Sequence, residues 1–514
     1  SPRSTGRAPT SRHSDRPDLR VTSPSLIRSL PYLIGGVAFI VLATANGAGY
    51  RYGVSDQAFY IPVVVRSIDP ALFPRDASLI DAQGHLMVAD EVLAGLSRGT
   101  GLSLDTLFLT AYLASLGLIW VGLVLVGWRV YRSPWAIAAL GAAFPMRHRI
   151  PRTSANSLEP YFHPRMLAFG LGALAVAAVL RRRAWLAVAL VAAGAVIHVT
   201  TALWFAVLIG VALTLLDTRF RRLAVAGGVV AAVTLVAAVT LGPLRGTLVA
   251  MDDTWLQAVA SKDSLFATDW PLWAWAANLG LLALLWWAHR TRARRGEATA
   301  EDTALVWGAT ALVTLFLVTL PFVVAGLSLA VQFQISRVFW LVDFLALVYV
   351  IGAVSGPRAS TTRAAVVALA LLALSAGRGT YVMLVERPDR GLFQVHLPDS
   401  PWEDAMRWLA RQPPDVHVLA DPGHAWKYGT SVRVSAERDV LLEEVKDSAL
   451  AIYSRDVAVR FVERAPLLED FPSLTVERAR DLADRFDLDY LVTEADLALP
   501  AAYRNAQFTI YSLK

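Results

Sequence analysis

The sequence has no cysteine and little charge: of 514 residues, 18% are Asp, Glu, Lys or Arg and 55% are apolar. The first absence excludes disulfides, thiolate catalysis and zinc–thiolate sites. The second excludes an ordinary soluble enzyme, which at this length needs more charge to cover its surface. So much apolar mass also excludes a disordered or fibrous chain. What is present is a mean hydropathy of +0.47. Such a chain reads as a polytopic α-helical membrane protein with soluble mass attached.

The charge that exists is placed unevenly. Residues 1–25 form a basic tail with Arg3, Arg7, Arg12, Arg16 and Arg20. This tail reads as disordered and cytoplasmic. An apolar run at 26–48 follows, and it is too long for a cleaved signal peptide. Further apolar segments lie at 104–128, 134–144, 167–180, 184–197, 200–216, 223–241, 270–288, 303–325, 338–354 and 364–384, so the pattern predicts about 11 spans. A span needs roughly 20 residues, so 134–144 crosses only if extended toward Ile150. The stretch 184–216 reads as two short helices broken near His198. Arginine-rich joints at 129/132, 181–183, 219–222, 290–295 and 358/363 each follow an even-numbered span. With the N-terminus cytoplasmic, all five fall inside, as the positive-inside rule requires. The pI of about 9.6 therefore records topology, and no nucleic-acid partner is expected. An odd number of spans puts residues 385–514 outside the cell membrane. Their pattern predicts a small α/β domain, with helices at 402–411 and 476–486 and strands at 416–420, 490–493 and 508–512. It holds no phosphate loop, HExxH or GxSxG.

The chemistry-bearing residues cluster in the outer loops. The first, 48–103, opens with Asp56 and Gln57 before a segment, 57–67, amphipathic enough to lie on the membrane surface. Asp56 reads either as the helix N-cap or as a carboxylate serving as general base. The second outer loop places Arg147, His148, Arg149, Arg152, Glu159, Tyr161, His163 and Arg165 on the side where few cations are expected. Misplaced cations suit an anion such as phosphate, and Glu159 reads as a second carboxylate or as an arginine's counter-ion. His198 sits at the outer turn between two short helices. Asp252 and Asp253 are a weak metal-pair pattern, and 255–260 reads as a short interfacial helix. Gln332, Gln334 and Arg337 precede a late span, where Arg337 reads either as an anchor of that helix at the membrane interface or as a clamp on a lipid phosphate. Asp343 lies within that span and would serve a proton-coupled transporter.

Taken together, these features resemble the GT-C superfamily of polyprenyl-phosphate-sugar-dependent glycosyltransferases. The shared features are a long first outer loop with an early Asp56, short spans, an outer Arg337 before a late span and a C-terminal outer domain. The run Phe162-His-Pro-Arg-Met-Leu-Ala-Phe-Gly170, with Ile197-His198, looks like uncharacterised bacterial members. The resemblance implies a transferase of a hexose or pentose in the inner or plasma membrane. Its donor would be a polyprenyl-phosphate-linked sugar drawn from the membrane lipids, its acceptor a hydroxyl of a polysaccharide, glycolipid or protein. It further implies Asp56 as base in a single inverting displacement. Arg337, Arg165 and His163 would hold the phosphate, and Gln57, Glu159, His198 and Gln334 would line the substrate. Family members often place two acids together and can hold Mg or Mn; here Asp56 is followed by Gln57. Two other classes stay open: a transporter or flippase of lipid-linked sugars, for which no inverted repeat is found, and a non-catalytic scaffold of envelope assembly.

Overall fold

In the computed structural model, residues 26–84, 88–242 and 244–514 are described; the basic tail lies outside them. The helical half opens with α1 (Leu26–Asn46), β1 (Tyr50–Arg51), α2 (Gln57–Ile68), α3 (Ala77–Gly84) and α4 (Ala89–Thr100). Next come α5 (Leu104–Val130), α6 (Pro134–Ala143), β2 (Arg149–Ile150), β3 (Ala155–Asn156), α7 (Pro164–Leu180), α8 (Ala184–Ile197), α9 (Val199–Leu216) and α10 (Thr218–Thr240). It closes with α11 (Asp253–Val259), α12 (Leu272–Arg294), α13 (Ala300–Val324), α14 (Ser328–Gln332), α15 (Val338–Ser355) and α16 (Thr361–Tyr381). Each apolar segment of the sequence carries a helix. Among the described residues, six stretches are long and apolar enough to cross a membrane: Leu104–Val130, Val199–Leu216, Thr218–Thr240, Ala300–Val324, Ser328–Ser355 and Thr361–Glu386.

Local chemistry sets the helix ends. Ser133 caps α6, with Pro134 in its first turn, where a proline costs no hydrogen bond. The chain does not extend that helix toward Ile150. Pro145 follows its end, and Arg149–Ile150 instead pairs antiparallel with Ala155–Asn156. The capping box of Thr299 and Asp302 starts α13 by satisfying two backbone N–H groups. Residue His198 is extended, at φ −154°, so α8 and α9 are two helices.

Packing runs α5 on α7, α7 on α8, α9 on α13 and α12 on α15. Gly172 permits the α7–α9 approach, since a Cβ there would lie 2.2 Å from the Phe205 ring. The apolar side chains of α10 point outward along nearly its whole length. Water would disfavour that surface, whereas lipid tails solvate it. At one end of the bundle, arginines from separate joints converge. Arg182 meets Glu301 at 2.5 Å, Arg129 meets the same carboxylate at 3.8 Å, and Arg295 donates to the Ala353 carbonyl at 2.6 Å. Three of the five basic joints contribute an arginine to these contacts.

The C-terminal part adds β4 (Phe393–Gln394), α17 (Pro401–Leu409), β5 (His417–Leu419), α18 (His424–Lys427), α19 (Val432–Ser435), β6 (Asp439–Val440), α20 (Glu444–Leu450), α21 (Arg455–Arg464), α22 (Val476–Phe486), β7 (Tyr490–Thr493), β8 (Ala501–Arg504) and β9 (Thr509–Ser512). Five strands form a mixed sheet in the order β6-β5-β7-β9-β8, parallel at β6–β5–β7 and antiparallel beyond. Side chains alternate across it. Val418, Val492 and Ile510 join Trp402 and Met406 on one face; Leu419, Leu491 and Tyr511 join Leu482 on the other. This is the period-two pattern of a sheet buried on both sides.

The C-terminal part does not hang free. Strand β1 pairs with β4 in parallel, and α11 packs on α21. The helix at α11 is not interfacial: Trp255 is buried and donates to the Ala451 carbonyl at 2.6 Å. Likewise α2 does not lie open on a membrane surface, because every residue from Gln57 to Val65 is buried in protein.

Candidate functional site

A cavity of about 1170 Å³ opens between the helical half and the C-terminal part. That volume suits a small-molecule site. Asp56, Glu159, His163, Arg165, His198, Gln334 and Arg337 all reach it. These residues arise from four separate stretches of chain, brought together by the end of the bundle opposite the arginine cluster.

Asp56 stands at the N-cap position of α2 but does not cap it. Its backbone is helical, at φ −67° and ψ −14°, and its side chain bonds no α2 amide. A capping residue needs an extended backbone. The carboxylate turns instead to the cavity, with 36% of its side chain exposed. One oxygen takes Lys446 Nζ at 2.7 Å; the other accepts from the Tyr161 hydroxyl at 3.2 Å and lies 3.6 Å from His163 Nε2. Burial works to raise this carboxyl. Lys446, with Arg165 behind it, outweighs burial and holds it well below the ordinary carboxylate range.

His163 caps α7, its Nδ1 accepting from the Arg165 amide at 3.2 Å. The ring proton is therefore on Nε2, 3.2 Å from the Tyr60 hydroxyl. Burial, then Arg165, push the imidazole well below its ordinary value. A neutral His163 supplies no charge for a phosphate, and its geometry serves Asp56 instead. His198 likewise caps α9 through Nδ1, 3.3 Å from the Thr201 amide. Arg165 is nearly fully buried and is held by Glu159, which also lies 3.6 Å from Arg147. Glu159 is thus a counter-ion and not the second member of a carboxylate pair with Asp56.

Gln57 does not reach the cavity. Its Oε1 accepts from the Gly53 amide at 2.8 Å and its Nε2 donates to the Phe162 carbonyl at 3.2 Å, so both ends are spent on backbone. Asp343 is also outside the lining, 3.1 Å from His148 Nε2. Asp252 caps α11 and pairs with Arg455 at 2.6 Å, which leaves no metal pair with Asp253.

The segment before α15 is strained. Gln334 adopts the left-handed region, at φ 48°, and donates to the Tyr453 hydroxyl at 2.9 Å. Ser55, Arg152 and Ser154, also at positive φ, line the same cavity. Non-glycine residues in that region cost energy and gather where function over-determines the backbone.

The hydrogen-bond balance of the lining has one sign. Among the described residues, three buried side-chain polar atoms of this cavity lack a partner: Arg165 Nε, Arg337 Nε and Gln332 Nε2. All three are N–H donors. Unmet buried donors carry a desolvation cost of about 1–3 kcal/mol each, and an anion in the cavity removes it. A divalent cation does not fit. The three carboxylates of the lining, Asp56, Glu159 and Asp263, already hold Lys446, Arg165 and Arg152. Among the described residues no group of three His, Asp or Glu side chains is placed to bind a metal. A Mg or Mn ion at Asp56 would have to expel Lys446.

Lys446, Tyr60 and Tyr453 escaped the reading of the sequence as members of this site. Lys446 is 390 residues from Asp56, and no local pattern reports such a pairing. One signal exists: the chain has only four lysines, Lys262, Lys427, Lys446 and Lys514. Two of them, Lys262 and Lys446, line the cavity.

Fold and site together define a helical membrane protein with a cation-lined cavity built around one carboxylate. No family model matches the chain, and no curated protein matches it in sequence. Among solved structures it is similar to the apo oligosaccharyltransferase of Archaeoglobus fulgidus, at 13% identity and a TM-score of 0.47, over 92% of this chain and 70% of that one.

Proposed function

We propose that this chain is a membrane glycosyltransferase, moving a sugar from a polyprenyl-phosphate donor to an acceptor hydroxyl outside the cytoplasm. The observation that carries the reading is the cavity's imbalance: three buried, unpaired N–H donors belong to residues that line the same cavity as a carboxylate that neither caps a helix nor binds an arginine. Such a set suits a reaction in which an anion departs while a hydroxyl loses its proton.

In the reaction, the acceptor oxygen attacks the anomeric carbon from the face opposite the phosphate. The new carbon–oxygen bond forms as the sugar–phosphate bond breaks, inverting the centre. The bonding pair leaves on a phosphate oxygen, and the hydroxyl proton passes to Asp56. A hydroxyl needs a base within hydrogen-bond reach, worth about 10²–10⁴ in rate. The departing phosphate gains charge, and Arg337, Gln332 and Arg165 are placed to stabilise it in a site shielded from bulk water. His163, through Nε2, orients the Tyr60 hydroxyl and Asp56. On this reading the bundle crosses the membrane about eleven times, the arginine cluster faces the cytoplasm, and the C-terminal part covers the cavity from outside.

The transporter reading draws less support. The intramembrane carboxylate it would use, Asp343, is engaged by His148 outside the cavity. The test is a transfer assay in nanodiscs, with labelled polyprenyl-phosphate sugars and membrane extract as the acceptor source. Wild-type protein should consume one donor and Asp56→Asn should not. Equal consumption by both would overturn the assignment.

A further inference from the structure

A difficulty follows from the geometry of the base. Lys446 sits 2.7 Å from Asp56 with only 10% of its side chain exposed. A carboxylate so held is a poor proton acceptor, and the transferase reading needs a good one. The contact therefore has to weaken during the reaction.

The charge flow of the reaction supplies the reason. A glycosyl phosphodiester carries about one negative charge before transfer, and the polyprenyl phosphate that leaves gains another. Asp56 changes in the opposite sense, from anion to neutral acid, as it takes the proton. A cation placed between the two is drawn to the carboxylate at the start and to the phosphate at the end. Such a cation binds the transition state better than the ground state, which is what accelerates a chemical step.

We infer that Lys446 is that shared cation: it leaves Asp56 for the donor phosphate as the sugar moves. This rests on the transferase reading above. The backbone that carries Lys446 is held from the far side. The next residue, Asp447, takes two bonds from Arg433, at 2.7 and 3.2 Å, and is buried. Helix α20 is thereby fixed while the lysine side chain points into the cavity. Residue type fits the task. An ammonium on a four-carbon stem is a movable point charge, whereas a guanidinium is a rigid fork. The lining otherwise uses arginine for its ion pairs: Arg165 with Glu159 and Arg152 with Asp263. Lysine appears where the pair has to open. The C-terminal part then supplies a reacting-centre residue and is more than a cover.

The test is a double-mutant cycle on phosphate binding, with decaprenyl phosphate in nanodiscs as the probe. Wild type, Asp56→Asn, Lys446→Met and the double variant are compared, with Lys446→Arg as the conservative change. If Lys446 is shared, removing the Asp56 charge frees it, and Asp56→Asn binds the probe about tenfold more tightly. Lys446→Met weakens binding by about tenfold, Lys446→Arg by less, and the double variant shows no gain from Asp56→Asn. The cycle separates freed lysine from simple loss of repulsion, because repulsion would persist in the Lys446→Met background. If the gain persists there, or if Lys446→Met binds as wild type does, the lysine is a structural contact and the inference falls while the transferase reading stands. If wild type binds no phosphate lipid, both fall. Should Lys446→Met fail to fold, the wild type, Asp56→Asn and Lys446→Arg still decide: equal affinity in all three contradicts a shared cation.

Discussion

Two charged centres flank α20, one on either side, and they behave differently. On one side lies a lock around Arg433, with carboxylates of Asp76 and Asp447 at 2.7 Å and of Glu443 at 3.7 Å. Asp76 is fully buried and is held also by Arg460 and by the Val440 amide at 3.2 Å. Every partner is internal, and the result ties the segment 48–103 to the C-terminal sheet. On the other side lies the cavity, where Lys446 and Asp56 meet among unpaired N–H donors. Both centres bury charge. The lock leaves one acceptor, Glu443 Oε1, and one donor, Arg460 Nε, without a partner, whereas the unpaired atoms of the cavity lining are all donors. Burial of charge alone therefore does not mark a site here; the sign of what is left unpaired does.

The sharpest way to break this contrast is at Asp56. Replacement by Asn should lower transfer by about 10³-fold and leave the fold intact, at the smaller cost of freeing Lys446, whose ammonium still reaches the cavity. Coincident loss of both would make Asp56 part of a structural centre. Next comes Arg337→Gln, expected to cost about 10²-fold or more in turnover, again with the fold intact; retention of wild-type rates would remove Arg337 from the phosphate.

The lock should show the reverse. Arg433→Met leaves Asp447 an uncompensated buried charge and Asp76 with Arg460 alone, which costs about 3–5 kcal/mol. Denaturant unfolding of detergent-solubilised protein would read this, and an unchanged midpoint would refute the lock. The smallest effect concerns pH. Burial pushes Glu443 up from 4.5 to about 7, against Arg433 and the Ser431 hydroxyl. The folded chain therefore holds this proton where the unfolded chain has released it. Stability falls as pH rises through that window. Glu443→Gln should flatten the melting temperature between about pH 4.5 and 7. An unaltered slope would place the proton elsewhere.

What the sequence disclosed follows from the range of the signal. Apolar runs, the break at His198, the helix 476–486 and the strand 490–493 are local patterns, and the structure has helices and strands there. Arg165 reads as a misplaced cation, Arg337 as a cation just before a span and Asp56 as a carboxylate at a helix start, cues that need no knowledge of contacts, and all three line the cavity. Three readings failed on packing. Gln57 is spent on backbone, α2 is buried rather than surface-lying, and α11 is covered by Ala451 and its neighbours. Nothing local tells which face of a short helix another part of the chain will cover. The lock and the Lys446–Asp56 pair were invisible for the same reason. Asp76 and Arg433 lie 357 residues apart, and only the tertiary fold brings them together.

The central claim is that the unpaired donors of the cavity receive the phosphate of a lipid-linked sugar. The most direct measurement is a cryo-EM structure in nanodiscs with a non-hydrolysable polyprenyl-phosphonate sugar bound. The account predicts the phosphonate within hydrogen-bond distance of Arg337 and Gln332, with the anomeric carbon facing Asp56 and Lys446 turned toward the phosphonate. A head group bound outside the cavity, or inside it with those donors still unpaired, would contradict it.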